Sequence, residues 1–286
     1  MDQTLDSLSL RNVSVFRGRQ RLIDNLNLSV RAGEVLGVLG PNGSGKTSLL
    51  SACTGELPIR SGEILYGNKP LNPNDAKQLA RTRAVLPQQS HLTFNLPVRE
   101  IIQMGAYPFP EIGSDQVMRW MDQAVYAADL SALVDNPFNA LSGGEQQRVQ
   151  FARVMVQTLA IAATHGQAYM FLDEPTASLD LRHQGLLLNA VRQLAKNGHN
   201  GNSRTSEAER TVDGIGPIGA FVVLHDLNIA ARWCDRVLLL SKHHDPVQGS
   251  PDEAFKQETL NQVYGVNLRV GPHPIRPNEL LVLVDE

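Results

Sequence analysis

The sequence predicts a mixed α/β fold with a helical subdomain inserted into it. Short apolar runs typical of strands open the chain, apolar residues take helical spacing from about 95 to 157, and strand patterns then return. Strands, helices and strands in this order favour an α/β core interrupted by a group of helices. The 286 residues suffice for one large domain or two modest ones.

The first strands are separated by turns. Apolar residues partly alternate over 8–16 and again over 26–30, and 34–39 is a short apolar run typical of a buried strand. A helix is expected to begin at 47–52, and an edge strand at 61–68. Helical spacing is clearest in two middle segments, at 98–104 and 117–125. Three apolar runs predict the later strands, at 168–172, 220–224 and 236–240.

The composition argues against several classes of protein. A formal net charge of −3 gives no general attraction to nucleic acid. Two cysteines, Cys53 and Cys234, make neither a disulfide framework nor a zinc pattern. The longest apolar run, at 215–224, is broken by Gly and Pro and falls short of the roughly 20 residues of a membrane span. We therefore expect a soluble protein, with any membrane spans supplied by other chains.

A glycine-rich loop follows the apolar run at 34–39 and leads into a helix. It fits the pattern G-x-x-x-x-G-K-[ST] with Gly40, Pro41, Asn42, Gly43, Ser44, Gly45, Lys46 and Thr47. The glycines let backbone N–H groups approach phosphate oxygens without a side-chain clash. Lys46 adds a cation, and the Thr47 hydroxyl can bind Mg²⁺. A strand before the loop and a helix after it favour a nucleotide phosphate site over a glycine turn without a ligand.

Polar side chains follow two of the later strands. Asp173 and Glu174 end the strand at 168–172, and beside a phosphate loop Asp173 would hold Mg²⁺ directly or through its water. Side chains alternate along a strand, so Glu174 points elsewhere and is placed to polarise the attacking water. His225 ends the next strand and could donate a hydrogen bond to the phosphate or the water. The alternative is a structural histidine.

A second segment also has the character of an anion-binding helix start. It consists of Leu141, Ser142, Gly143, Gly144 and Glu145. Its Ser-Gly-Gly sequence leaves backbone N–H groups uncovered, and the good helix formers Glu-Gln-Gln-Arg follow. The chain therefore carries two phosphate-binding helix starts far apart in sequence.

In combination, these motifs resemble those of the ATP-binding cassette (ABC) transporter ATPases over nearly the whole chain. Residues 40–47 are similar to the family's Walker A motif, 169–174 to Walker B and 141–146 to the signature motif. The resemblance makes His225 the switch histidine and places the D-loop at 178–180, with Asp180 as its aspartate.

The resemblance adds two further residues. Gln88 matches the Q-loop glutamine, which contacts Mg²⁺ and the water; its neighbour Gln89 is disfavoured by the Leu-Pro-Gln frame. Phe16 falls where the family stacks an aromatic ring on adenine, and Phe retains the π face needed for stacking. A simple core position at a strand end is the alternative for Phe16.

The resemblance also implies the architecture and the ligands. It implies a P-loop NTPase core with an N-terminal antiparallel β subdomain and an inserted helical subdomain, together one ABC ATPase domain over 1–286. The core would span about 1–92 and 160–286, and the helices about 93–159. A flexible surface insertion is expected at about 197–219, with a regulatory contact there as a less favoured alternative. ATP and Mg²⁺ are the implied ligands.

The implied partners follow from the same family. ATP would lie between the Walker A loop of one copy and the signature helix of a second, so a homodimer enclosing two ATP molecules is expected. Two integral membrane permease subunits would dock near 98–109, where Tyr107 and Phe109 are the best contact candidates. A periplasmic substrate-binding protein would act indirectly, and nucleic acid is not an expected partner. The implied location is the cytoplasmic face of the inner membrane, as a peripheral subunit.

A narrower similarity is to importers of iron chelates, haem and vitamin B12. It is carried by His-Asp-Leu-Asn-Ile-Ala-Ala at 225–231 and by Met-Gly-Ala-Tyr-Pro-Phe at 104–109, although those importers usually have Arg where this chain has Ala106. A long spacer at 158–167 and Leu-Arg-His-Gln at 181–184 favour haem. Ferric siderophore or vitamin B12 import is the alternative. A soluble ABC ATPase without a transport role is less favoured, since such proteins usually carry two cassettes or a long coiled coil.

Overall fold

The structure is a computed structural model and describes residues 7–88, 95–197, 215–277 and 279–285. The chain divides into two compact units: unit 1 is Met1–Pro73 with Phe221–Glu286, and unit 2 is Asn74–Ala220. In chain order the described elements are β1 (Ser7–Arg17), β2 (Gln20–Arg31), β3 (Val35–Leu39), α1 (Lys46–Cys53), β4 (Ile59–Tyr66), β5 (Lys69–Pro70), α2 (Ala76–Ala80), β6 (Arg83–Leu86), α3 (Val98–Gln103), α4 (Ser114–Ala127), α5 (Gly143–His165), β7 (Ala168–Asp173), α6 (Leu181–Asn197), β8 (Ile218–Val223), α7 (Leu227–Trp233), β9 (Arg236–Leu239), β10 (Val247–Gly249), α8 (Pro251–Ala254), α9 (Gln257–Tyr264), β11 (Leu268–Pro272) and β12 (Leu280–Val284). Short 3₁₀ turns lie at Met104–Ala106 and Phe138–Ala140.

Unit 1 contains an antiparallel sheet with the strand order β2-β1-β4-β5. It also contains β3 and β9, which pair in parallel, with β10 antiparallel at the far side of β9. Every residue of β3 is buried, as the continuous apolar run predicts for a central strand. The C-terminal strands β11 and β12 form an antiparallel hairpin. The glycine-rich loop leaves the end of β3 and leads into α1.

Unit 2 combines the parallel pair β6 and β7 with helices α2 to α6. Its helical part is built around α5, whose apolar side chains face α3 and α4. Trp120 of α4 and Phe151 of α5 are almost completely buried there. A buried aromatic core of this kind removes large apolar areas from water and stabilises the packing of these helices.

The predicted mixed α/β fold class is confirmed, and most predicted elements fall within a few residues of the observed ones. One difference concerns the spacer predicted at 158–167. Helix α5 continues through it to His165 and ends at Gly166, which has the left-handed φ of 77° that glycine tolerates. Gln89 and residues 198–214 of the expected insertion lie outside the described residues. The helices of the described ranges are all too short or too polar to cross a bilayer.

Candidate nucleotide-binding site

The glycine-rich loop of unit 1 has a backbone that only glycine adopts easily. Gly40, Gly43 and Gly45 have φ values of 143°, 74° and 101°. A Cβ atom on Gly40 would lie 2.1 Å from the Leu240 carbonyl oxygen, so this position also needs glycine for space. The loop thus combines close packing with backbone N–H groups presented at the start of α1.

A cation and a hydroxyl are buried in the same loop. Lys46 is 5% exposed, and its Nζ donates hydrogen bonds to the carbonyl oxygens of Gly40 at 2.8 Å and Pro41 at 3.1 Å. The buried Ser44 Oγ has no hydrogen-bond partner among the described residues. Buried polar atoms are normally satisfied. The loop therefore has the charge and the spare hydrogen-bonding capacity that a phosphate group would use.

Two other predicted residues lie in unit 1. Phe16 is half-buried near the end of β1, so part of its ring is available for stacking. His225 is exposed and follows Leu224, whose backbone N–H donates to the Val38 carbonyl at 3.0 Å. That bond places the chain before His225 beside β3, the strand that leads into the glycine-rich loop. Asp226 then caps α7 by accepting from two backbone N–H groups of its first turn.

The predicted carboxylates lie in unit 2, at the end of β7. Asp173 is 2% exposed, while Glu174 is half-buried and has a left-handed φ of 50°. A positive φ is uncommon for glutamate and costs about 1–3 kcal/mol where the surroundings enforce it. Gln88 Nε2 donates a hydrogen bond to Glu174 Oε2 at 2.8 Å. The structure therefore brings together two of the three predicted catalytic residues.

The signature segment begins α5 with a capping box. Ser142 is the N-cap; its backbone N–H donates to Glu145 Oε2 at 2.8 Å, and its Oγ accepts from the Glu145 N–H at 3.4 Å. Hydrogen bonds from Ser142 lower the pKa of Glu145, so this carboxylate is ionised at neutral pH. Leu141 is buried, whereas a Cβ atom on Gly143 would meet open space.

The D-loop residues of unit 2 contact the start of α5. A Cβ atom on Gly144 would lie 2.8 Å from the Ser178 carbonyl oxygen, which is closer than Cβ atoms normally approach. Asp180, two residues further on, accepts a hydrogen bond from the His183 backbone N–H at 2.9 Å and faces the His183 ring. These bonds lower the pKa of Asp180. Gly144 of the signature segment and the D-loop are therefore in direct contact within one chain.

Sequence reasoning missed residues that support these motifs. Arg148, on the signature helix, is 8% exposed and donates to the Ala128 carbonyl at 2.8 Å. His183 and Asp129 also belong to this region: His183 contacts Asp180, and Asp129 accepts a hydrogen bond from Arg182. A helical arginine and an aspartate at a helix end carry no pattern that predicts such contacts.

Comparison with known proteins identifies the class of protein. The family model of the ABC transporter matches residues 23–177. A metal-chelate type ABC transporter in an inward-facing conformation has a similar fold, with a TM-score of 0.73 at 21% identity, covering 99% of this chain and 98% of the other. A dimeric bacterial ABC transporter cassette gives a TM-score of 0.67 at 23% identity, covering 85% of this chain and 98% of that one. The chain belongs to the ABC transporter family.

Relatives with higher sequence identity indicate which kind of ABC protein this chain resembles. The hemin import ATP-binding protein HmuV of Bordetella pertussis is 40% identical over 277 residues, which are 97% of this chain and 99% of that protein. The protein of the same name from Pseudomonas aeruginosa is 38% identical over 96% of this chain and 99% of its own length. The predicted family and enzyme class are thus confirmed: the chain is an ABC transporter ATPase that binds and hydrolyses ATP.

Proposed function

We propose that this chain is the ATP-hydrolysing subunit of a haem importer and works at the cytoplasmic face of the inner membrane. The observation that carries the proposal is the near full-length similarity to proteins named hemin import ATP-binding protein, at 40% identity. Similarity over 97% of this chain supports a shared subunit type and shared cargo, in addition to a shared ATPase domain.

The site residues are proposed to act as follows. The residues 40–47 hold the triphosphate, with Lys46 neutralising its charge, and Phe16 stacks on adenine. Glu174 polarises the attacking water, and Gln88 orients Glu174 through their hydrogen bond. His225 donates to the phosphate or the water.

Mg²⁺ is the proposed metal. Its donors would be the Thr47 hydroxyl, the Gln88 amide oxygen and the Asp173 carboxylate. These are hard oxygen donors of the kind that Mg²⁺ prefers, so the residues present fit the ion. When bound, Mg²⁺ would neutralise charge on the phosphates.

We further propose a two-fold homodimer that encloses two ATP molecules. In it, the signature residues Leu141, Ser142, Gly143, Gly144 and Glu145, together with Asp180, would act on the nucleotide held by the partner copy. The arrangement explains why one chain carries two phosphate-binding helix starts. ATP would close the dimer and hydrolysis would release it, which is a ligand-driven shift between two states.

The proposed permease contact lies on the helical part of unit 2. An open groove of about 680 Å³ is lined mainly by apolar residues of α4 and of the chain before it, among them Tyr107, Val117, Met118 and Met121. Tyr107 is 63% and Met118 61% exposed, whereas Phe109 is only 1% exposed. Of the two predicted contact residues, Tyr107 thus suits a docking role and Phe109 forms part of the core. Exposed apolar patches often mark sites where other proteins bind.

Transport by the assembled complex tests the proposed cargo. The chain would be co-purified with its permease and binding protein, reconstituted into vesicles, and assayed in parallel with haem, a ferric siderophore and cobalamin. ATP-dependent uptake of haem alone is expected, and it should disappear with Lys46→Ala. Uptake of siderophore or cobalamin in preference to haem would refute the cargo, and uptake of none of the three by a complex that hydrolyses ATP would count against the transport role.

A further inference from the structure

A network of polar contacts joins the signature helix to the D-loop through the C-terminal end of α4. Its central residue is Asp129, which follows α4 with a left-handed φ of 52°. From the signature helix, Arg148 donates to the carbonyl oxygens of Ala128 and Asp129. A charged guanidinium that bonds two carbonyls holds this turn firmly against α5.

The Asp129 side chain extends the network to α6. Arg182 Nη1 donates to Asp129 Oδ2 at 2.6 Å, and His183 Nε2 lies 3.3 Å from the same oxygen. The bond from Arg182, followed by the His183 contact, lowers the pKa of Asp129. His183 is 18% exposed, so its ring is held in place between two carboxylates rather than free in solvent.

The other ring nitrogen of His183 reaches the D-loop. His183 Nδ1 lies 2.8 Å from Asp180 Oδ2, and the His183 backbone N–H donates to Asp180 Oδ1. Asp180 thus receives two bonds from one residue, which fixes the carboxylate in a single orientation. Arg182 Nη1 lies 3.4 Å from His183 Nε2, so the same ring also contacts the arginine that bonds Asp129.

We infer that Asp129 and His183 are positioning residues, which hold D-loop Asp180 in fixed register with the signature motif so that both meet the partner's nucleotide together. The inference rests on the shared sites of the proposed function. The close packing of Gly144 on the Ser178 carbonyl supports it independently, because it is a second, separate contact between the signature segment and the D-loop. The residues act through Asp180 and the signature segment, with the ATP held by the other copy.

Mixed dimers test the inference, because they separate the two chains that make one site. One chain carries Ser142→Arg, which leaves a single working site. That site combines the glycine-rich loop (the P-loop, residues 40–47) of the Ser142→Arg chain with the signature segment and D-loop of the other chain. Asp129→Asn is then placed either on the chain that supplies the working signature or on the Ser142→Arg chain. Asparagine tolerates a positive φ, so this variant removes the charge without adding backbone strain.

The expected result is asymmetric. Asp129→Asn on the chain supplying the working signature should lower kcat about tenfold, the effect of losing one charge-assisted hydrogen bond. The KM for ATP should stay within about twofold, because the intact P-loop sets nucleotide binding. The same substitution on the Ser142→Arg chain should leave kcat within about twofold. Equal losses in both arrangements, or no loss in either, would overturn the inference.

Histidine variants provide a second line if Asp129→Asn folds poorly. His183→Asn retains an N–H donor near the Nδ1 position but has no atom that reaches Asp129, whereas His183→Ala loses both contacts. We expect a smaller loss of kcat for His183→Asn than for His183→Ala, again only when the variant is on the chain that supplies the working signature. Losses of equal size for the two variants would contradict the positioning role of His183. Asp135→Asn is the matched control, since Asp135 pairs with Arg99 at a 69% exposed position of the same unit.

Failure of the shared-site model would give a different experimental result from failure of the positioning role. If Ser142→Arg and Lys46→Ala chains give no activity when mixed, then the composite site of the proposed function is absent. If they do complement each other and the Asp129 position makes no difference, then only the positioning role is wrong.

Discussion

Among the described residues other than glycine, four have a positive φ, and Glu174 is the one that is neither Asn nor Asp. It has a positive φ directly after a buried strand, and its carboxylate accepts from Gln88. Strained backbone of this kind persists where the surroundings enforce it and is concentrated at functional sites. The positive φ at the end of β7 and the hydrogen bond from Gln88 together support the proposed role of Glu174 beside the attacking water.

Substitution of Glu174 by Gln tests that role. The amide keeps the size of the side chain but cannot accept a proton, so kcat for ATP hydrolysis should fall by about 100-fold to 10,000-fold, the range of general base catalysis. ATP affinity should remain within about threefold of wild type, since the P-loop residues are unchanged. Single-turnover hydrolysis and equilibrium ATP titration measure the two quantities. Near-normal turnover would exclude Glu174 as the base.

The sequence predicts the motif residues better than the residues that hold them in place. The glycine-rich loop and the Asp-Glu pair are read from short patterns, because phosphate binding requires fixed residue types at fixed spacing. Asp129 and His183 lie 54 positions apart and meet through the fold, so sequence spacing gives no sign of their contact. The sequence was misleading for Phe109, a predicted permease contact, for the same reason. Its side chain is buried, and Arg81 Cζ lies 4.8 Å from the centroid of its ring.

Among the elements, the start of α5 shows how helix capping and close packing serve the proposed site together. The capping box satisfies part of the first turn, and the two glycines after Ser142 have different surroundings. Gly143 faces open space, while Gly144 packs against the Ser178 carbonyl. The D-loop therefore limits the size of the residue at position 144 and leaves position 143 unrestricted by protein contacts.

Alanine substitution at the two glycines separates these effects. Gly144→Ala places a methyl group 2.8 Å from a backbone oxygen, and overpacking of this kind typically costs about 1–3 kcal/mol of unfolding free energy. Gly143→Ala introduces no such contact and gains the higher helix propensity of alanine. Urea denaturation of the nucleotide-free chains should rank Gly144→Ala below Gly143→Ala in stability. A lower stability of Gly143→Ala than of Gly144→Ala would show that the D-loop shifts easily to make room for the added methyl group.

The predictability of elements follows their periodicity. Strands β3 and β7 carry continuous apolar patterns, and the sequence predicts them within a few residues. The sequence predicts the start of α5, but the helix continues to His165 through the spacer expected at 158–167. Helix α9 and the hairpin of β11 and β12 carry no pattern that predicts them, because they depend partly on tertiary contacts. Asn228 of α7 illustrates this: its side chain donates to the Val282 carbonyl at 3.0 Å and accepts from the Val282 N–H at 2.7 Å.

At the scale of the whole molecule, the proposed homodimer makes each ATP site depend on two chains. Lys46 and Ser142 belong to different units of one chain, and the proposal assigns them to different nucleotides. Loss of either residue should therefore inactivate both sites of a dimer made from one variant alone. The two defects are expected to be complementary, since each variant retains the half that the other has lost.

Mixing Lys46→Ala and Ser142→Arg chains tests this expectation. A dimer with one chain of each kind contains one site with an intact P-loop and an intact signature helix, and one site with neither. At equal mixing, half of the dimers are of this kind, so ATPase activity should recover to about one quarter of wild type for independent sites in a two-fold dimer. Each variant alone should show only background hydrolysis. Activity that stays at background over all mixing ratios, with mixed dimers demonstrated by two affinity tags, would mean that each chain completes its own site.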